Sequence, residues 1–264
     1  MRLKHLLFTF ALTTIFLIAG KVGWGQELIV ENFEYEIGSL PVSNWNSANS
    51  GNPILIESGS LSFSSYASSA IGNYAKMADG LDYNRTLGSI NSGSVYAAIL
   101  INVTNANAAS DYILHFTQAG TTYKGRLYLK ASGSGVAFGV AKSGTSPAVN
   151  YSGEYLLNQT HLLVLKYTFN SGTTSDDVVE LFINPTVGDS EPISTLTAAD
   201  NTTLDATSLT LLGLRQPSKS NASTLYVDGI RVATSWADAV KEVVADNTAP
   251  VPTFDPVDAA TGVA

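Results

Sequence analysis

The chain has no cysteine, only three histidines, and few charges for its 264 residues: 14 Lys or Arg and 22 Asp or Glu. Without cysteine there is no disulfide framework, no thiol nucleophile and no thiolate metal site. Basic residues are scarce and scattered, and three of them (Arg2, Lys4, Lys21) fall within the first 25 positions. Phosphate recognition needs a basic stripe, so nucleic acid is excluded as a partner. Also missing are HExxH, a Gly-rich phosphate loop and a Ser-centred nucleophile elbow. The sequence lacks the Glu-x-Asp-x-x-Glu strand with which jelly-roll glycoside hydrolases supply two carboxylates. Beyond residue 25 no apolar run is long enough to span a bilayer, and no stretch holds a helical period over three turns.

What is present begins with a leader-like segment. Arg2 and Lys4 precede an apolar core from Leu6 to Ala19, and Gly23-Trp24-Gly25 gives a small-x-small pattern before Gln26. This is the layout of a secretory signal, assigned to residues 1–25, and it predicts a secreted or cell-surface protein. At the other end, Asn247-Thr248-Ala249-Pro250-Val251-Pro252 reads as a linker, so residues 246–264 are expected to be a linker and the start of a further module. The main domain is assigned to residues 27–245.

Between those bounds the chain reads as short strands separated by polar turns. Glu27–Phe33, Ile54–Glu57, Leu61–Phe63, Val95–Val103, Tyr112–Thr117, Tyr123–Lys130, Val136–Ala141, Leu162–Phe169, Val178–Ile183, Leu209–Leu214 and Thr224–Ala233 have strand lengths and β-branched or aromatic content. Ser58-Gly59-Ser60 suggests a hairpin between the second and third. Leu163, Leu165, Tyr167 and Phe169 fall on one face, as do Val179, Leu181 and Ile183. Arg126, Tyr128 and Lys130 alternate with Leu127 and Leu129, which predicts a wet outer face. Several strands with one apolar face each require a second sheet, so the predicted fold is all-β, a two-sheet antiparallel jelly-roll sandwich. Leu225, Val227, Ile230 and Val232 break a strict period of two, and Asp228-Gly229 is the place for a bulge or a tight turn. Trp236–Val244 is the one helical candidate, and Trp45 and Trp236 read as packing residues.

The opening Glu31-Asn32-Phe33-Glu34-Tyr35-Glu36-Ile37-Gly38-Ser39-Leu40 with Trp45, and the closing Leu225-Tyr226-Val227-Asp228-Gly229-Ile230-Arg231-Val232-Ala233-Thr234-Ser235-Trp236, resemble the ends of laminin-G-like or concanavalin-like jelly-roll modules of secreted multidomain Bacteroidetes proteins. The tail, from Thr248-Ala249-Pro250 to Val263, resembles the start of a bacterial Ig-like repeat. The resemblance implies further domains of the same polypeptide and a calcium ion at the sandwich rim. Asp79, Asp82 and Asp111 are taken as the metal candidates, with Asp176, Asp177 and Asp228 also at loops or strand ends. Their spacing alone is not diagnostic.

The functional expectation is a non-catalytic extracellular recognition or adhesion module that binds a polysaccharide or cell-surface glycan, with Tyr66, Tyr74 and Tyr83 as ring platforms. A structural spacer is the first alternative and a polysaccharide hydrolase or lyase the second. A lyase requires a Tyr/His pair beside cations that neutralise an acidic sugar. His115 and His161 are the histidines in play, with no Lys or Arg concentrated near either in sequence, and both are read as structural. Glu31, Glu34 and Glu36, and Asp176, Asp177 and Glu180, are the nearest carboxylate groupings; Glu34 and Glu36 flank Tyr35 where a strand gives way to a loop, and the second group reads as a solvated turn.

Overall fold

The computed structural model describes residues 25–118, 122–144 and 149–243. The signal segment and the linker with its further module therefore lie outside the described residues, apart from Gly25. Sixteen strands follow in chain order: β1 (Glu27–Glu31), β2 (Gly38–Ser39), β3 (Asn46–Ser47), β4 (Leu55–Glu57), β5 (Tyr74–Met77), β6 (Tyr83–Ile90), β7 (Ser94–Asn105) and β8 (Asp111–Gln118). The second half holds β9 (Thr122–Ser132), β10 (Gly135–Ala141), β11 (Asn150–Tyr151), β12 (Thr160–Thr168), β13 (Val178–Ile183), β14 (Leu196–Thr197), β15 (Leu209–Leu214) and β16 (Thr224–Ala233). A single turn of helix, α1 (Trp236–Ala239), closes the described region on an N-cap from Ser235.

Two antiparallel sheets form a jelly-roll-like β-sandwich. Sheet A runs β14-β13-β12-β7-β16-β5-β4-β2, with β1 also on β16, and sheet B runs β11-β10-β9-β8-β15-β6-β3. The period-two pattern sets the faces. Leu163, Leu165 and Tyr167 stand opposite Ile183, Leu181 and Val179 across β12 and β13, and all six enter the core between the sheets. From the facing sheet, Leu127 and Leu129 of β9 and Val136, Phe138 and Val140 of β10 complete it. Each such aliphatic side chain contributes about 1.5–3 kcal/mol on burial, which is how the sandwich holds without a disulfide.

The outer faces of the two sheets differ. On sheet A, Tyr96, Ala98 and Leu100 of β7 and Leu162 and Val164 of β12 point outward, where Tyr66 and Trp236 cover them in a second apolar cluster. Covered on both sides, these strands carry nearly continuous apolar runs. Sheet B keeps aromatic and charged side chains on its outer face, and the functional residues gather there.

Three local readings change. Leu61–Phe63 does not pair with β4, which instead lies between β2 and β5. The Leu61 N–H goes to Asp228 Oδ2 and the Phe63 N–H to Ser69 Oγ, so this segment's donors are satisfied outside a ladder. Residues 64–92, unreadable as sequence, supply β5 and β6. Asp228-Gly229 is a bulge: the β16–β7 register shifts between Asp228 and Arg231, with Gly229 at φ +53°, a conformation that favours glycine. The extra residue turns Ile230 back into the core beside Val227 and Val232.

Candidate functional site

Strands β8, β9 and β15 lie side by side in sheet B. Their register sets His115 between Arg126 of β9 and Gly213 of β15. Alternation in β8 is interrupted by shifts between Tyr112 and Leu114 and between His115 and Phe116. Ile113 and Leu114 therefore both enter the core, and His115 does not share its face with Ile113 as strict alternation requires. It joins Tyr112 and Tyr123 instead: the imidazole lies 4.3 Å from the Tyr123 ring and 5.6 Å from Tyr112, centroid to centroid.

Two arginines converge on the same aromatic group. The Arg215 guanidinium sits 4.2 Å from the Tyr112 ring centre, and Arg126 lies 4.9 Å from the same ring and 5.7 Å from Tyr123. Arg215 is ion-paired with Asp111. Arg126 has no carboxylate within ion-pair distance among the described residues, and its Nε is buried without a partner. The reading that no cations surround His115 is thus overturned. They come from neighbouring strands of the sheet, 11 and 100 residues away along the chain.

The environment sets the protonation states. His115 is 2 % exposed, and burial pulls its pKa down to about 4, with Arg126 and Arg215 adding to the shift against a hydrogen bond to the Phe116 carbonyl. That carbonyl, 3.3 Å from Nδ1, can only accept, and the Thr117 hydroxyl, 3.1 Å from the same nitrogen, can accept as well as donate. We assign the proton to Nδ1 on that ground, which leaves the Nε2 lone pair free. Tyr112 moves the other way: burial pushes its hydroxyl up to about 12, although both arginines oppose the shift. A neutral imidazole and a protonated phenol thus stand together beneath positive charge. His161 is different. Its nitrogens meet the Leu156 carbonyl at 3.0 Å and the Asn184 side chain at 3.1 Å, as the structural reading expects.

A separate acidic group lies at one end of the sandwich. Asp176, Asp177 and Asp205 each offer a carboxylate oxygen, and these atoms all lie within 4.8 Å of one another, a set able to hold a metal ion. Much of their capacity is already used. Asp205 pairs with the wholly buried Lys142 and accepts the N–H groups of Asp176 and Asp177. Asp177 accepts the Tyr167 hydroxyl and the Asn170 N–H. Asp176 Oδ1 is buried with no partner, which is the observation that fits an additional cation.

The residues anticipated as ligands do not assemble. Tyr66 is fully buried and donates to the Gly229 carbonyl at 2.8 Å, and Tyr83 is buried in the core. Neither offers a ring face to a sugar. Tyr74 is half-buried, 4.3 Å from Tyr226 on the outer face of sheet A. Of the metal candidates, Asp111 is committed to Arg215, Asp82 accepts the Gln216 N–H at 2.9 Å, and Asp79 lines a cavity of about 290 Å³ with Asn52, Pro53 and Lys76. Asp228 is buried and takes three hydrogen bonds from Ser60, Leu61 and Gly229. Glu34 and Glu36 line a surface cavity of about 740 Å³, away from the His115 group. Nothing in the linear sequence joins Tyr112, His115, Tyr123, Arg126 and Arg215; the nearest signal was the wet face read for Arg126, Tyr128 and Lys130.

No protein-family model matches the chain, and no curated protein sequence matches it. Among solved structures it is similar to the alginate lyase Aly36B (14 % identity, TM-score 0.49, covering 77 % of this chain and 95 % of that one). It is also similar to a carbohydrate esterase from the Shiga toxin-encoding bacteriophage phi24B (16 %, 0.47, 80 % and 99 %) and a glycosyl hydrolase family protein from Mycobacterium fortuitum (12 %, 0.43, 78 % and 99 %). These are carbohydrate-active enzymes rather than laminin-G-like or lectin-type modules. The expectations of a laminin-G-like or concanavalin-like recognition module, of adhesion and of a non-catalytic role are corrected: none of these structures is described as such a module, and Tyr66 and Tyr83, two of its expected ring platforms, are buried. At these identities no residue or substrate transfers to this chain, and its chemistry rests on its own side chains.

Proposed function

We propose that the protein is a polysaccharide-degrading enzyme, a lyase that cleaves an acidic glycan on the outer face of sheet B. The observation that carries this reading is the convergence of His115, Tyr112, Tyr123, Arg126 and Arg215 from three adjacent strands. In β-elimination a base removes the proton α to a uronate carboxylate, and the glycosidic C–O bond on the adjacent β-carbon breaks. The products are an unsaturated sugar and a new chain end, and no water is consumed. The first requirement is to neutralise the carboxylate, because charge flows into it as the proton leaves. Arg126, with no carboxylate of its own, is placed for that, and Arg215 adds positive charge.

His115 is neutral at pH 7, so Nε2 accepts the proton. A bound carboxylate offsets the two guanidinium charges that disfavour imidazolium, raising the basicity of His115 where it is needed. Tyr112, protonated at neutral pH, is the donor to the departing oxygen. Two groups whose environments drive their pKa values apart are thereby divided into base and acid. Two-carboxylate hydrolysis suits this face less well, since Asp111 is tied to Arg215.

The leader-like segment supports action outside the cell, where such polymers are met, and the tail supports additional domains in the same polypeptide. Calcium is the ion that suits the all-oxygen group of Asp176, Asp177 and Asp205, with Asp176 Oδ1 as the free ligand atom and a structural role at the sandwich end.

The test is incubation with alginate, polygalacturonate and hyaluronan, following the ultraviolet absorbance of the unsaturated product. Its appearance with wild-type protein and loss in His115→Gln is the expected result. New reducing ends without that absorbance would turn the assignment to hydrolysis, and no cleavage across acidic polymers would sink it.

A further inference from the structure

We infer that Lys130, Tyr151 and Ser110 form a second anion-binding subsite on the outer face of sheet B, which takes the carboxylate of another acidic sugar in the same glycan chain. The inference rests on the lyase reading and adds to it a requirement for charge on more than one sugar. It starts from unpaired charge. Among the described residues Lys76, Arg85, Lys142, Lys166, Arg215 and Arg231 each have a carboxylate within ion-pair distance. Lys124, Arg126, Lys130, Lys219 and Lys241 have none; Lys124 of β9 is buried and donates to the Leu204 carbonyl, Lys219 and Lys241 lie outside the strands, and Arg126 and Lys130 both point outward from β9. In a chain with 22 acidic residues against 14 basic ones, two uncompensated cations on one strand face mark a surface that does not serve intramolecular pairing. Four residues of strand separate them, or about 13 Å, so they reach different sugars of a bound chain.

The second cation is held in a built setting. Lys130 Nζ sits 4.1 Å from the Tyr151 ring centre. That ring lies across β10, where Gly139 pairs with Tyr151; a Cβ on Gly139 would fall 2.6 Å from Tyr151 Cε1. The Tyr151 hydroxyl is hydrogen-bonded to Ser110 Oγ, which ties the ring to the segment leading into β8. Aromatic contact fixes an ammonium without neutralising it, so the charge stays available. Ammonium, phenol and serine hydroxyl together suit the carboxylate and hydroxyls of an acidic pyranose.

The test compares wild type, Lys130→Gln and Lys130→Arg, each verified as folded by its thermal midpoint, on whichever of alginate and polygalacturonate is cleaved. Expected is a rise in KM of about tenfold for Lys130→Gln with kcat little changed, a weaker dependence of KM on salt, and recovery in Lys130→Arg. A Lys130→Gln protein with wild-type KM and salt dependence would overturn the subsite while leaving the lyase reading intact. If neither polymer is cleaved, affinity electrophoresis in the same two polymers decides the subsite, and the lyase reading fails separately only when hyaluronan too is left intact. Retardation of wild type that Lys130→Gln loses supports it, and absence of retardation, or equal retardation, overturns it.

Discussion

Gly213 lies beneath His115: a Cβ built on it would fall 2.3 Å from both Cε1 and Nε2 of the imidazole, and 2.9 Å from Asn84 Oδ1. The two residues are partners in the β15–β8 ladder, so the ring rests on a strand position kept empty of side chain. Gly213→Ala is therefore expected to displace the imidazole rather than strain the backbone. Its predicted effect is a fall in kcat of about tenfold or more, with a thermal midpoint close to that of wild type. A fully active Gly213→Ala protein would show that ring placement is irrelevant to the chemistry.

Removing the base should do more. His115→Gln is expected to lower kcat on the cleaved polymer by about 10²–10⁴-fold with little change in KM, whereas Arg126→Gln should raise KM and lower kcat together, because its guanidinium both binds the carboxylate and offsets the charge that flows into it as the proton leaves. Steady-state kinetics of the two variants separate these roles, and equal effects on both parameters from both variants would contradict the division.

His115 also gives stability a pH dependence of known sign. Its folded pKa, about 4, lies below the ordinary value of 6.5, so the unfolded chain binds more protons between these limits. The stabilisation is present above pH 6.5 and is lost as pH falls toward 4. From the difference of about 2.5 pH units it is on the order of 3 kcal/mol. Asp228 acts in the opposite direction, since burial raises its pKa to about 6 and favours folding as pH falls from 6. Comparing denaturant midpoints of wild type and His115→Gln from pH 4 to 7 isolates the histidine: the variant should lose less stability on acidification. Parallel curves would mean that the imidazole is not held neutral.

Calcium at the acidic group predicts a rise in thermal midpoint with calcium and its reversal by chelator. At 100 times Kd the stabilisation is about 2.7 kcal/mol. Asp176→Asn should abolish the increment, because it removes the charge of the one carboxylate in this group with an oxygen buried without a partner. An unchanged midpoint in saturating calcium would remove the ion from the account.

Glu31 tests the framework behind the other end of sheet B. It is 4 % exposed, and its carboxylate accepts the Phe33 N–H, the Tyr35 hydroxyl, the Trp45 indole and Arg85. Glu31→Ala leaves these donors, including a guanidinium, without their acceptor, at an expected cost of about 3–5 kcal/mol. Equilibrium denaturation measures it, and a loss below 1 kcal/mol would mean that water replaces the carboxylate.

The sequence by itself determined the fold class. Alternation in Leu163–Phe169, Val178–Ile183 and Arg126–Lys130 depends only on neighbours two residues apart, so strand faces and the need for a facing sheet are local properties of the chain. The same alternation put Arg126, Tyr128 and Lys130 on the outer face, but that face is not wet at Tyr128, which is buried with Tyr112, Ala141 and Val149. Alternation does not tell which rings pack in the core, as Tyr83 does, and which gather with charged groups on the outer face of sheet B, as Tyr112 and Tyr123 do. Tertiary structure alone decided the site. His115 meets Arg126 and Gly213 because β8 pairs with β9 on one side and β15 on the other, and Tyr112 joins them because irregular register turns Ile113 inward. Register and strand order are set by the packing of the whole sandwich, and a contact between residues 100 positions apart leaves no period in the sequence to be read.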